Sequence, residues 1–301
     1  MGTVFERIVI VMLENATRSS VLENSYMNGL RRKGVFLANS YGVTHSSQPN
    51  YIASLGGDTF GIFNDTPGYV QWVYETYDEN NQPAEPQPPP VTCIVDLLEA
   101  RGLTWRAYAE DIQPDNVQAT GLFPPYPPPP PDNFPFARKH VPFLSFPVVT
   151  SSPRRLTCIV DAKQFGRDLR AGELPAYSWY TPNLINDGHS LSTGERAKDP
   201  EDSNRRVNVD NIAAFLDGFL SGDPVAKFPP ETLIAITFDE AYPYYSDYAV
   251  YTLLIGDMLE AGTVRTEPYN HYSLLRSVEE NFGLGSLRRN DAAAAPYWFL
   301  R

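Results

Sequence analysis

The sequence predicts an α/β fold with a mainly parallel sheet covered by helices on both faces. Three observations carry this. Residues 7–13, RIVIVML, form an unbroken apolar, β-branched run, the pattern of a strand buried on both sides. Similar runs recur at TWRAYAE (104–110), PAYSWYT (175–181), LIAITF (233–238) and AVYTLLIG (249–256). Between the runs lie helical patterns, several closing on glycine as helix C-termini often do. Strands that alternate with helices imply parallel neighbours and covered faces.

Taken in order, RIVIVML ends abruptly in Glu14-Asn15. NYIASLGG then follows the hydroxyl-rich turn THSSQP, residues 44–49. Serine at such a junction is either a helix cap or a reactive hydroxyl at a helix N-terminus, whose backbone donors suit an anion. CIVDLLEARG leads into TWRAYAE, and VDAKQFGRDLRAG leads into PAYSWYT. VDNIAAFLDGFLSG precedes LIAITF, and YSLLRSVEENFG closes the pattern. Two proline-rich segments, NQPAEPQPPP (81–90) and FPPYPPPPPDNFPF (123–136), favour polyproline II and cannot join a central sheet. Their flanking aromatics favour loops packed on the surface and rimming a pocket over a ligand for a proline-binding module. No internal repeat interrupts the chain, and 301 residues suit a single domain spanning 1–301.

Hydrophobic residues make up 42% of the chain, enough for a substantial core. With 24 basic against 36 acidic residues the formal charge is −12, which opposes non-specific binding to nucleic acid or stable association with an anionic membrane. An anionic substrate meets the same repulsion, so positive charge must be supplied locally, as a bound cation does. There is no apolar run of 18 residues and no visible signal peptide, since MGTVFER runs straight into RIVIVML. Secreted and cytoplasmic locations both stay open, as does the oligomeric state. Cys93 and Cys158 lack metal-type spacing and are either one disulfide or two thiols.

Polar residues gather at the ends of the predicted strands: Glu14-Asn15, Asp239-Glu240, and Asn183, Asn186, Asp187 and His189 in PNLINDGHS. In open α/β sheets ligands bind at the carboxyl ends of strands. Each carboxylate alone is more often a turn former, but together they suit Mg²⁺, Ca²⁺ or Mn²⁺, and a histidine admits Zn²⁺. The four histidines are His45, beside the hydroxyl turn; His140, beside Arg138 and Lys139; His189; and His271, which opens the last helical pattern.

These segments together resemble a known family. THSSQPNYIASLGG is similar to the THPSQPNYLAL-type signature of acid phosphatases in the phosphoesterase family, which also holds bacterial phospholipases C and belongs to the alkaline phosphatase superfamily. MLENAT, CIVDLLEARGLTWRAYAED, ARKHVPF, LPAYSWYTPNLINDGHS, ITFDE, VYTLLIGDM and NHYSLLRSVEENFGLG follow in the family's order. The resemblance implies a three-layer α/β/α sandwich and hydrolysis of phosphomonoesters through a phosphoserine, assisted by one or two divalent ions. It implies Ser47 as nucleophile, because Ser46 stands where the family often has proline. Glu14, Asn15, Asp239 and Glu240 match metal-binding positions, with the Ser47 oxygen completing the shell. Asn50 matches a phosphate donor, with further donors from the backbone of the helix start. Asp187, His189 and His271 match positions lining the phosphate pocket or holding a second ion. His189 or His271 is the expected proton donor to the leaving group, and His45 and His140 are expected substrate contacts.

Two departures stand out. No histidine follows Asp239-Glu240, where phospholipase-like members tend to carry one. Asp247-Tyr248-Ala249 stands where smaller acid phosphatases often show Asn-Arg. The first disfavours the phosphodiesterase or phospholipase C alternative. The retained Ser47 and carboxylates disfavour a non-catalytic binding protein. A small phosphorylated substrate is the expected partner.

Overall fold

The computed structural model describes residues 3–71, 90–130, 132–192, 203–222, 224–242 and 247–300. The strands are β1 (Arg7–Leu13), β2 (Val35–Leu37), β3 (Ser40–Tyr41), β4 (Trp105–Ala109), β5 (Ile159–Asp161), β6 (Tyr177–Thr181), β7 (Thr232–Phe238), β8 (Ala249–Val250), β9 (Thr252–Ile255), β10 (Val264–Arg265) and β11 (Tyr269–Asn270). Eight build the main sheet in the order β10-β2-β9-β7-β1-β6-β4-β5, and β11-β3-β8 form a small second sheet. Within the main sheet β1 runs parallel to β6 and β7, and β4 runs parallel to β5 and β6. Only β9 opposes its neighbours β2 and β7.

The burial follows the period of two along β1. Ile8, Ile10 and Met12 join the core under the helices Ser47–Gly56, Ile94–Ala100 and His271–Phe282. Val9, Val11 and Leu13 point the other way, toward Val21, Met27, Phe165, Ile212 and Leu216 of the opposite helix layer. Two apolar clusters on the two faces of one sheet make the three-layer α/β/α sandwich. Strands β1, β6 and β7 are buried almost throughout, which is why they read as apolar runs rather than alternating ones.

The five predicted strand runs all contain strand, with one revision. AVYTLLIG is not one strand: β8 pairs with β3 in the small sheet, and after Tyr251 the chain enters the main sheet as antiparallel β9. The run was apolar throughout because both pieces are buried. The predicted helix-closing glycines behave as expected, since Gly57, Gly172 and Gly283 take positive φ as C-caps. Cys93 is buried and both cysteines are free thiols. The proline segment 81–90 lies, but for Pro90, outside the described residues, whereas the described part of 123–136 has no helix or sheet strand and packs Tyr126 against Tyr69 at 5.1 Å.

Candidate active site

The register of the central strands assembles the site. Leu13 pairs with Phe238, so the residues that follow, Glu14 and Asp239, leave the sheet side by side. The Asp239 N–H donates to Leu13 carbonyl at 3.0 Å, and the Glu14 N–H donates to the Asp187 carbonyl beyond β6 at 2.8 Å. Three adjacent parallel strands thus deliver Glu14, Asp187 and Asp239 to one place at their carboxyl ends. Glu14, Asp187, Asp239 and Glu240 are all fully buried.

Ser47 starts the wholly buried helix Ser47–Gly56 and is itself buried. Its hydroxyl donates to Glu14 Oε2 at 3.0 Å and lies 3.5 Å from Glu240 Oε1. It does not cap the helix. Ser46 holds the N-cap position at φ 81°, a left-handed conformation that only an over-determined turn tolerates, and its side chain makes no capping bond. The surrounding bonds enforce that turn. Glu240 Oε2 accepts the Ser46 N–H at 3.0 Å and lies 3.1 Å from His45 Nδ1. Gly42 is needed beside it, because a Cβ there would sit 2.9 Å from the Asp239 carbonyl oxygen.

Asn50 does not present its amide to an incoming phosphate. Its Oδ1 accepts from Val43 N–H at 2.9 Å and Thr44 N–H at 3.3 Å, and its Nδ2 donates to the Thr44 and Ser46 carbonyls at 2.9 Å. It braces the turn that carries Ser47. The helix start is also poorer in donors than expected. The Gln48 N–H is taken by Asp65 Oδ1 at 3.0 Å, the Ser46 N–H by Glu240, and Pro49 has none.

His140 lies at the centre of a second constellation. Its Nδ1 is 3.0 Å from Asp187 Oδ2 and its Nε2 is 3.1 Å from Glu14 Oε1. The ring stacks on Tyr51 at 5.0 Å and 7°. Asp187 Oδ1 accepts the His189 N–H at 2.7 Å, so one carboxylate orders both histidines. His189 Nδ1 meets Ser190 Oγ at 2.8 Å. Among the described residues, Glu14, His140 and His189 bring one ligand atom each within 4.8 Å of one another. Asp239 and Glu240 fall outside that set.

His271 is buried, and its Nε2 donates to the Asp239 carbonyl at 2.5 Å. Burial pushes its pKa down to about 4, against the upward pull of that hydrogen bond. The imidazole therefore spends its proton on Asp239 backbone. His45 is partly buried, fixed by Glu240 on its edge and by Tyr248 on its face.

A cation fits this site. Among the described residues, Asp239 Oδ2 and both amide atoms of Asn15 are buried without a hydrogen bond, and Glu14 Oε1 meets only the His140 ring at 3.1 Å, an arrangement that a ligand relieves. Burial first, and then neighbouring carboxylates, push the Glu14, Asp187 and Asp239 carboxyls well up. A divalent ion reverses both effects. Glu14 with two imidazoles is a donor set for Zn²⁺ or Mn²⁺, whereas the oxygens of Asn15, Asp239, Glu240 and Ser47 suit a harder ion. Lys139 is a contributor that residue patterns did not single out. It pairs with Asp65 at 2.7 Å and pulls the Glu14 and Asp187 carboxyls down. Its place beside His140 in ARKHVPF was the available signal.

Comparison with known proteins identifies the family. The model of the Phosphoesterase family matches residues 23–285. A phosphate-repressible acid phosphatase from Penicillium chrysogenum is 31% identical over 97% of this chain and 63% of its own length. An acid phosphatase from Aspergillus niger is 31% identical over 99% of this chain and 64% of its own. The chain thus spans just under two thirds of the length of these curated relatives. A phosphatidylinositol-3-phosphatase from Mycobacterium tuberculosis is 27% identical over 93% of this chain and 78% of its own length. Among solved structures, a protein in the alkaline phosphatase superfamily from Vibrio parahaemolyticus shares the fold at TM-score 0.52 and 12% identity, covering 96% of this chain and 70% of that one.

Proposed function

Because the chain belongs to the Phosphoesterase family, we propose that it hydrolyses phosphomonoesters, with Ser47 as nucleophile and a phosphoserine intermediate. The observation that carries this is the Ser47 hydroxyl, held 3.0 Å from Glu14 Oε2 among four fully buried carboxylates. A serine so placed is activated by an adjacent base, and the excess negative charge calls for a cation that also suits a phosphoryl group. The curated relatives' names, all phosphatases, support the monoester reading.

Glu14, His140 and His189 would hold one divalent cation, and Asn15, Asp239, Glu240 and Ser47 would offer oxygens to a second. When bound, such ions neutralise charge on the phosphoryl oxygens. The chain's own residues do the rest. Ser47 Oγ attacks phosphorus and its proton passes to Glu14 Oε2, while the ester oxygen–phosphorus bond breaks and the departing alkoxide takes up that proton by way of solvent water. Asn50 and Glu240 hold the turn so that Oγ stays aimed, and Asp187 fixes the tautomer and direction of His140. Water then cleaves the serine–phosphorus bond and restores Ser47. His271 acts through the Asp239 backbone, and His189 serves as a ligand rather than as the proton donor.

Aryl monoester, aryl diester and aryl sulfate substrates, each with and without chelator, test the reading. Monoesterase activity should dominate and fall with chelation. Ser47→Ala should lower kcat at least about a thousandfold, as loss of a nucleophile does, and acid quenching of the native enzyme should trap phosphate on Ser47. Near-normal turnover by the Ala variant, or no monoesterase activity with added metal, refutes it.

A further inference from the structure

One aromatic ring at the edge of the site has no part in the chemistry above. Tyr248 immediately precedes β8, and its carbonyl accepts the Gly42 N–H at 2.8 Å, which fixes its backbone against the turn leading to Ser47. The ring stacks on His45 with centroids 4.4 Å apart and planes at 25°. His45 Nδ1 is 3.1 Å from Glu240 Oε2, and the other oxygen of that carboxylate is 3.5 Å from Ser47 Oγ. A chain of three contacts therefore runs from the ring to the nucleophile. Tyr251, three residues on, is fully buried, yet Tyr248 remains 44% exposed. A large aromatic side chain is thus held in a defined orientation beside the reacting centre while much of its surface stays open to solvent.

We propose that Tyr248 is a specificity-determining residue, an aromatic platform on which a planar aromatic leaving group of a phosphomonoester stacks. The proposal rests on the phosphomonoesterase reading above. Its physical basis is that a ring already stacked on one neighbour is pre-oriented for offset stacking with another, so little side-chain freedom is lost on binding. The molecule's charge of −12 repels acidic leaving groups and leaves an uncharged aromatic one unopposed. A glycerol or other polyol group has no face to present to the ring. The platform therefore discriminates by leaving group while the phosphoryl end binds in the same way for both.

The test compares native enzyme, Tyr248→Phe and Tyr248→Ala on 1-naphthyl phosphate and glycerol phosphate. It also compares competitive inhibition by phenylphosphonate and methylphosphonate, neither of which can be hydrolysed. Tyr248→Ala should lower the naphthyl-to-glycerol ratio of kcat/KM roughly 3- to 10-fold and weaken phenylphosphonate relative to methylphosphonate by a similar factor. Tyr248→Phe should keep both ratios. If Tyr248→Ala lowers kcat/KM equally on both substrates, the ring only braces His45, and the proposal falls. Unchanged ratios in the Ala variant overturn it as well. If the native enzyme hydrolyses neither monoester, the phosphatase reading fails separately, and direct binding of the two phosphonates to the native and Tyr248→Ala proteins, read by calorimetry, still decides whether the ring meets an aromatic ligand.

Discussion

His189 and His271 both stand close to the carboxylates, but their surroundings give them different work. The His271 Nε2–H is committed to the Asp239 carbonyl at 2.5 Å and the ring is buried, so it has no proton to lend to a departing alkoxide. His189 shares the Asp187 carboxylate with His140 and lies within ligand distance of Glu14. A general acid matters far more for an alkyl leaving group than for nitrophenolate. His189→Ala should therefore slow alkyl and nitrophenyl monoesters by the same factor, about 10- to 100-fold, with a parallel loss of bound metal by elemental analysis. A selective loss on alkyl esters with metal content intact would return His189 to the role of proton donor. Much of this was legible in the residues: the strand-end carboxylates Glu14, Asp187, Asp239 and Glu240 are gathered in space with Ser47 and all four histidines. What pattern could not supply was the division of labour. Asn50 looks like a donor to phosphate until its four hydrogen bonds are seen to close the 43–46 turn. His140, beside Arg138 and Lys139, reads as a substrate contact, yet it is buried with both ring nitrogens against Glu14 and Asp187.

The helix Ser47–Gly56 is held at its far end by the C-terminal segment. Its C-cap Gly57 accepts through its carbonyl from the Asn290 N–H and side chain, both at 3.0 Å, and Arg289 donates to the Gly56 carbonyl at 2.7 Å. That segment is joined to the helix His271–Phe282 by a carboxyl pair, Glu279 and Asp291, both fully buried. The Leu287 N–H donates to Asp291 Oδ2 at 2.7 Å and to Glu279 Oε1 at 3.3 Å, with Arg276 at 3.5 Å from Glu279 Oε2. Burial, and then Asp291, push the Glu279 pKa up to about 8. The sign follows from linkage. Between the ordinary carboxyl range near 4.5 and about 8, unfolded Glu279 is ionised while folded Glu279 keeps its proton, so the native state binds more protons. This group's contribution to stability is therefore full below the lower value and declines as pH rises toward the upper one. Thermal unfolding at pH 5, 6, 7 and 8 should show a falling midpoint, and Glu279→Gln should flatten the fall. An unchanged slope in the Gln variant would show that Glu279 is not the titrating group. Elements of this kind were unequally visible beforehand. The buried runs of β1, β6 and β7 declared themselves, but β2, β3, β10 and β11, of two or three residues each, are too short to show a period.

At the scale of the whole molecule, the formal charge of −12 and the buried carboxylates act against each other's purpose unless cations intervene. A phosphomonoester approaches as an anion and feels the net field before it feels any local group. That field is screened by salt, over about 30 Å at 0.01 M ionic strength and about 8 Å at 0.15 M. Many enzymes with complementary fields lose kcat/KM as salt rises, because steering is lost. Here the sign should reverse. With metal kept saturating, kcat/KM for a phosphomonoester should rise by about two- to tenfold as inert salt increases from 0.01 to 0.15 M. The kcat should stay nearly constant, since the bound substrate is already inside the repulsive field. The effect belongs to the dianion, so it should shrink when pH is lowered enough to protonate the phosphate once. Lys139 and Arg138, which precede His140 in sequence and are held by Asp65 and by backbone carbonyls, are too few to overturn the net sign at long range. A kcat/KM that falls with salt instead would mean that the field at the site mouth is positive, and that the bound cations set it from beyond a Debye length.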